Sequence, residues 1–268
     1  REMTRLIETT PAVSQEHAQE TTDGGLTITE KRSIAAVMAM GQVPMARPGS
    51  VINVINPGGS RPPLFWCFNS PGKDMAGLAP HLDPEQPLYG LYSGGKLLAR
   101  TDEFVAKIAR FYADEIVSLH PDGPYVIGGD CRGGRVALEI AKVLAASGRD
   151  VEKLCLPEYT HTDLYEFDGQ LLLFFGKQSR HKAYRNVGFG GAGWDQLFRR
   201  PPVVEWVSGP HGRYFHSYNV SSMMRQLDRF LQDRPKLSGW TFAIESHLVM
   251  AMHKVPPLFN AYRKLFKQ

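Results

Sequence analysis

The strongest constraint on the fold lies at residues 125–134, where a short apolar strand leads through a glycine-rich turn into a helical pattern. Gly129 and Gly133 flank Cys131 in the spacing G-x-C-x-G, which has sulfur where the nucleophile-elbow pattern G-x-S-x-G has oxygen. That pattern holds its central residue on a strained turn, and the flanking glycines avoid collisions with the strand and the helix. A thiol at a helix N-terminus is favoured as thiolate. The run therefore predicts a nucleophilic Cys131, although doubly wound nucleotide-binding folds also contain glycine-rich turns of this kind.

Composition excludes several classes of protein. The 268 residues suffice for one large α/β domain with extensions. A net charge of +4 from scattered basic residues does not indicate a nucleic-acid partner. The three cysteines are far apart and lack metal-ligand spacing, so we expect no metal site and a reducing compartment. With no apolar run of membrane-spanning length and no signal-peptide core, the sequence predicts a soluble, cytoplasmic protein with no membrane partner.

Three segments differ in character along the chain. Residues 1–48 are polar and predict a linker or loosely docked arm with one short apolar helical pattern. Residues 49–234 contain the apolar strand and helix patterns of the main domain. Residues 235–268 predict a C-terminal helical extension. Its apolar faces would pack over the sheet edge, cover the site or form a homodimer.

Apolar runs of strand length alternate with helical periodicity through the main domain. Thr101 is a plausible N-cap for a helix that continues to residue 120, and Gly148 can end the helix that follows the elbow. Such alternation predicts a mostly parallel α/β sheet with helices on both faces. The expected strands are residues 50–56, 64–68, 87–92, 151–156, 170–176 and 203–207, together with the short apolar strand that opens the run 125–134.

Two residues are candidates to assist Cys131, since parallel strands place their carboxyl ends, and the functional loops there, at one edge of the sheet. Glu158 follows the strand after the elbow, and Asp163 is the competing acid five residues on. His211 lies in a glycine-proline loop just after the last strand, where the chain order nucleophile, acid, histidine requires it. His216 is the alternative base.

The loop after residues 64–68 is a candidate for stabilising an oxyanion. In this layout one backbone N–H comes from the residue after the nucleophile, here Arg132, and the other from the loop after an early strand. Pro71 has no N–H, which leaves Ser70 as the first choice and Gly72 as the second. Asn-Ser-Pro-Gly is equally an ordinary tight turn.

Residues 51–232 resemble the thioesterase domains that end non-ribosomal peptide synthetase and polyketide synthase assembly lines. The resemblance implies an α/β-hydrolase fold, with the acid at Glu158 and the base at His211. Cysteine replaces the family's usual serine, as in some members that form strained rings or amides, and glutamate replaces its usual aspartate. The family's helical lid is reduced to residues 159–169, so the C-terminal helices are candidates to shield the pocket. The matching runs are residues 58–65, 87–91, 123–134, 193–194 and 207–211.

This resemblance implies acyl transfer through a thioester on Cys131. The small-molecule acyl substrate would arrive on the phosphopantetheine arm of an acyl or peptidyl carrier protein, and the domain itself would bind no cofactor. Lys73, Arg132 and Arg135 would meet an acidic carrier surface or a substrate carboxylate, or are simply solvated. Plain hydrolysis and a non-catalytic carrier-docking domain are the alternative functions.

Overall fold

A seven-stranded sheet forms the centre of the computed structural model, which describes residues 25–95, 101–158, 167–178, 200, 202–216 and 219–234. The strand order is β1-β3-β2-β4-β5-β6-β7. The strands are β1 (Asn53–Ile55), β2 (Leu64–Phe68), β3 (Leu88–Tyr92), β4 (Tyr125–Gly129), β5 (Val151–Pro157), β6 (Gln170–Gly176) and β7 (Val203–Val207).

The strand pairing brings the loops after the strands to one edge of the sheet. β1 runs antiparallel to β3, and every other neighbouring pair is parallel. The predicted mostly parallel sheet is confirmed, and the bounds of β2, β6 and β7 are those expected from the sequence. Since the carboxyl ends of parallel strands share an edge, the segments after β2 to β7 meet there.

Helices cover both faces of the sheet and enclose two apolar cores. In β2, Phe65 and Cys67 pack in one core, while Leu64, Trp66 and Phe68 pack in the other, because successive side chains of a strand point to opposite faces. The first core includes residues of α1 (Ile28–Ala39), α3 (Asp102–Leu119) and α4 (Arg132–Ala146), and the second includes residues of α2 (Pro71–Leu78) and α5 (Val220–Leu231). The fold is that of an α/β-hydrolase.

Local capping explains where two helices begin. Thr101 is the N-cap of α3, and its hydroxyl accepts a hydrogen bond from the N–H of Phe104 at 3.2 Å, as the sequence predicts. The sequence predicts a loop or tight turn at Ser70-Pro71, whereas the structure has α2 starting at Pro71 with Ser70 as N-cap. Proline at the first helical position suits a helix start, because the N–H that it lacks has no intrahelical partner there.

The second half of the predicted polar arm packs against the domain. Thr27 and Glu30 form a capping box that starts α1. Leu26, Ile34 and Met38 are fully buried in the same core as α3 and α4. Residues 25–48 therefore differ from the loosely docked segment that we expected, because a few apolar side chains anchor an otherwise polar stretch.

Several sequence predictions lie outside the described residues. The reduced lid falls largely in residues 159–166 and the C-terminal extension in residues 235–268, so the lid, the cover and the homodimer contact remain predictions. Within the ranges that the structure describes, no helix has the length and hydrophobicity needed to cross a membrane.

Candidate active site

Cys131 occupies a strained position at the start of α4. Its backbone has φ 51° and ψ −114°, a conformation that side-chain-bearing residues rarely adopt, and its thiol is exposed. The next turn begins at once, because the N–H of Gly133 donates to the carbonyl of Asp130 at 2.8 Å. The thiol therefore stands at the N-terminus of a helix, where unpaired N–H groups favour an anion.

Close backbone contacts explain the two glycines of the elbow. A β-carbon on Gly129 would lie 2.3 Å from the carbonyl oxygen of Gly133. A β-carbon on Gly133 would lie 1.9 Å from the carbonyl oxygen of Cys67 on β2. Both distances are far below van der Waals contact, so the elbow can approach β2 only because these positions lack side chains.

We expect Gly133→Ala to destabilise the fold, since the new methyl group must displace backbone atoms of β2. Overpacking of this kind lowers the free energy of unfolding by about 1–3 kcal/mol. Gly58→Ala is the matched control, because a β-carbon there meets nothing within 4 Å and the glycine does not have a positive φ. Chemical denaturation of both variants measures the difference, and equal stabilities would contradict the proposed crowding.

His211 is held by the carboxylate of Glu158. The Nδ1 atom of His211 contacts Oε2 of Glu158, whose side chain is 1% exposed against 31% for the imidazole. The other oxygen, Oε1, accepts a hydrogen bond from the N–H of Gly176 at 2.8 Å. A β-carbon on Gly176 would lie 2.9 Å from Oε1, so the end of β6 leaves room for the carboxylate by lacking a side chain.

The imidazole of His211 also hydrogen-bonds to Cys131. This bond, followed by the contact with Glu158, raises the pKa of His211 to about 10, against a smaller opposing effect of burial. The imidazolium is therefore the favoured form at neutral pH. The structure thus joins three predicted residues in one hydrogen-bonded chain, from an exposed thiol through an imidazole to a buried carboxylate.

Two further titratable side chains, Tyr214 and His216, have pKa values that burial shifts. Tyr214 is buried beside Glu158, and burial followed by the negative charge of Glu158 raises the tyrosine pKa well above its usual value. His216, the alternative base, lies near Lys73 and Arg213, and its pKa is lowered first by burial and then by those two charges. His211 is thus the histidine that the structure pairs with Glu158, while Asp163 lies outside the described residues.

A buried polar network lies beside the elbow. The Nδ2 of Asn69 donates to the carbonyl oxygen of Asp130 at 2.8 Å and to its carboxylate Oδ2 at 2.9 Å. The hydroxyl of Ser93 donates to Oδ1 of Asn69 at 2.8 Å. Burial raises the pKa of Asp130 to about 6, although the hydrogen bond from Asn69 acts in the opposite direction.

The two candidate oxyanion donors after β2 occupy different surroundings. Ser70 is exposed at the N-terminus of α2, whereas a β-carbon on Gly72 would lie 2.8 Å from Cα of Gly41, beyond the end of α1. Gly72 thus allows the segment after α1 to approach α2 closely. Burial and then the charge of Asp130 raise the pKa of Asp74 to about 7, and a hydrogen bond with the backbone of Ser70 opposes that rise. The N–H of Ser70 therefore donates to a carboxyl group that is partly neutral at pH 7.

The three basic candidates for substrate binding do not form one cluster. Arg135 pairs with Asp102 at 2.8 Å on the surface between α3 and α4. The guanidinium of Arg132 donates to the carbonyl of Gly95, in the loop after β3. Lys73 is exposed on α2. Among these side chains, Lys73 is the one that the structure leaves on the surface beside the candidate site.

Sequence reasoning missed the supporting roles of Asn69, Asp130, Gly176 and Tyr214. Asn69 and Asp130 follow strand ends next to predicted site residues, which is the available signal for them. Nothing in the local pattern distinguishes Gly176 or Tyr214. Within the described ranges, no group of three or more histidine, cysteine or acidic residues could hold a metal ion.

Residues 76–170 match the family described as "Thioesterase domain". Malpinin synthetase of Mortierella alpina is 38% identical over 120 residues, which cover 40% of this chain and 1% of the relative. Microperfuranone synthase of Emericella nidulans is 35% identical over 104 residues, which cover 36% of this chain and 11% of the relative. The chain thus spans only a small part of the curated relatives it matches.

A solved structure shares the fold. The NocB thioesterase domain from the nocardicin cluster superposes with a TM-score of 0.54 at 22% identity, covering 68% of this chain and 98% of that domain. This likeness agrees with the architecture of the sheet.

Proposed function

We propose, from the premise that residues 76–170 belong to the thioesterase domain family, that this chain takes an acyl group from a phosphopantetheine thioester onto Cys131 and passes it to a second nucleophile. One observation carries the proposal. The exposed thiol of Cys131, on a positive-φ elbow, hydrogen-bonds to an imidazole that a buried carboxylate holds on its other side. This arrangement suits covalent acyl transfer.

The first half-reaction loads the enzyme. The thiolate of Cys131, paired with the imidazolium of His211, forms a bond through its sulfur to the thioester carbonyl carbon. The tetrahedral intermediate carries its negative charge on the former carbonyl oxygen. Collapse breaks the bond to the pantetheine sulfur, which leaves as a thiolate and takes the proton from the imidazolium of His211. Glu158 stabilises that imidazolium and fixes the orientation of its ring.

The oxyanion needs two donors during this step. Arg132 follows the nucleophile and is the first helical residue of α4, and its N–H is the proposed first donor. The N–H of Ser70, which donates to the Asp74 carboxyl in this structure, is the proposed second donor and would exchange that bond for one to the oxyanion. In its neutral form the nearby carboxyl of Asp74 does not add a negative charge beside the oxyanion.

The second half-reaction sets the product. Exchange of one thioester for another is close to isoenergetic, so the acyl group on Cys131 stays activated. An amine, hydroxyl or carbon nucleophile attacks it, His211 accepts the proton, and Cys131 leaves. The family's use of cysteine in amide- and ring-forming members supports transfer or cyclisation over hydrolysis. The synthetase and synthase relatives support a carrier protein as the acyl donor.

Intact mass spectrometry with an acyl-pantetheine thioester tests this proposal. We expect one added acyl group, located by peptide mapping on Cys131, and an amide in excess of free acid when a primary amine is present. Free acid as the main product would contradict the transfer step while retaining the acyl-enzyme. Carrier-protein binding with no adduct at all would favour the docking function.

A further inference from the structure

We infer that Asn69 is a positioning residue that fixes the two halves of the oxyanion pocket relative to each other. The inference rests on the proposed function, since an oxyanion forms only if Cys131 attacks a carbonyl. Asn69 follows β2, which lies between β3 and β4 in the sheet. Its side chain is therefore placed to bond to both neighbouring strand ends.

The hydrogen bonds of Asn69 cross the site in both directions. Its Oδ1 accepts from the hydroxyl of Ser93 after β3, and its Nδ2 donates to the backbone and side chain of Asp130 after β4. Because both acceptors belong to Asp130, the NH₂ end of the Asn69 amide faces the end of β4 and its oxygen faces the end of β3. Ser93 and Asp130 are 0% and 5% exposed, so both partners of Asn69 lie inside the protein.

The residues that follow Asn69 and Asp130 in the sequence form the proposed pocket. Ser70 follows Asn69, and Cys131 and Arg132 follow Asp130. The carbonyl oxygen of Asp130 receives both Nδ2 of Asn69 and the N–H of Gly133 in the first turn of α4. A single oxygen thus ties the loop before α2 to the start of α4. Without the Asn69 bond, the peptide groups that precede Ser70 and Cys131 are no longer held in a fixed orientation relative to each other.

Only a side chain with both a donor and an acceptor can make this connection. Leucine has a similar volume and makes neither bond. Aspartate keeps the acceptor for Ser93 but loses the donor to Asp130, and it adds a negative charge beside a buried carboxyl group. These substitutions therefore separate a role of Asn69 in hydrogen bonding from a role in filling the space beside the elbow.

The test compares two reactions of the same thiol. Acylation by an acyl-pantetheine thioester develops an oxyanion, whereas alkylation by iodoacetamide does not. Burial raises the pKa of the thiols of Cys67 and Cys155, which limits alkylation at neutral pH to exposed Cys131. We expect Asn69→Leu to lower the single-turnover acylation rate about 10²-fold. Its alkylation rate and its Kd for the thioester should stay within about threefold.

Two further variants control for folding and for chemistry. Gln86→Leu removes a buried amide that donates to the carbonyl of Pro62 at 2.8 Å, at the opposite end of the strands, and should acylate normally. The double variant Asn69→Asp with Asp130→Asn restores the side-chain bond but not the bond to the backbone carbonyl of Asp130, so it should still acylate slowly.

Three outcomes would overturn the inference. They are an unchanged acylation rate in Asn69→Leu, an equal loss of acylation and alkylation, and a wild-type acylation rate in the double variant. A wild-type protein that is alkylated but never acylated would overturn the proposed function as well, and that result is distinct from the first three.

Discussion

Cys131→Ala is expected to abolish acylation, because the proposed reaction passes through a bond to this sulfur. Removing the nucleophile from a comparable hydrolytic site lowers kcat by roughly 10⁶-fold. Incubation with a thioester for a fixed time, followed by intact mass spectrometry, should show no adduct on the variant. Cys131→Ser keeps a nucleophile in the same strained turn and should form an adduct more slowly than wild type.

The other thiols provide the matched control. Cys155 is fully buried on β5, so Cys155→Ala should still form one adduct per chain. An adduct on Cys131→Ala at the wild-type rate would place the chemistry elsewhere in the chain. Loss of the adduct in Cys155→Ala with a folded chain would equally contradict a single acylated site.

Glu158→Gln is expected to have the second largest effect. It keeps the shape of the side chain but removes the charge that contacts Nδ1 of His211. Loss of such an orienting carboxylate costs about 10⁴-fold in kcat. Glu152→Gln is the matched control, because Glu152 lies on β5, the strand that Glu158 follows, and is partly exposed beside Lys153.

The same variant makes a prediction about pH. Glu158 helps to raise the pKa of His211 to about 10, so the proton donor for the leaving thiol persists to high pH. Removing the carboxylate lowers the imidazole pKa, and the imidazolium is then lost at a lower pH. The alkaline limb of the acylation rate should therefore move to lower pH in Glu158→Gln. An unchanged limb would show that Glu158 does not set the protonation of His211.

Much of the architecture follows from local sequence. β2, β6 and β7 are apolar runs of strand length, and their bounds agree with the structure. Because all but one pair of strands are parallel, residues far apart in the chain meet at one edge. Reasoning of this kind placed Glu158 and His211 near Cys131, and the structure brings the three into contact.

The supporting contacts do not follow from local pattern. Asn69 bonds to Ser93 and Asp130 because β2 lies between β3 and β4, and strand order is a property of the whole fold. The start of α2 was missed because serine followed by proline is found in turns as well as at helix N-termini. The anchoring of residues 25–48 was missed because a polar average hides a few fully buried side chains.

The contact between Gly41 and Gly72 has a practical consequence for anyone who shortens this chain. Expressing residues 49–234 alone would follow the sequence-based domain boundary, but it would strip α1 and the turn after it from the back of α2. Such a fragment would expose apolar surface that Leu26 and Ile34 now cover. It would also remove the segment at Gly41 that packs against Gly72, two residues after Ser70. A weakly active fragment would therefore say little about the chemistry of the longer chain.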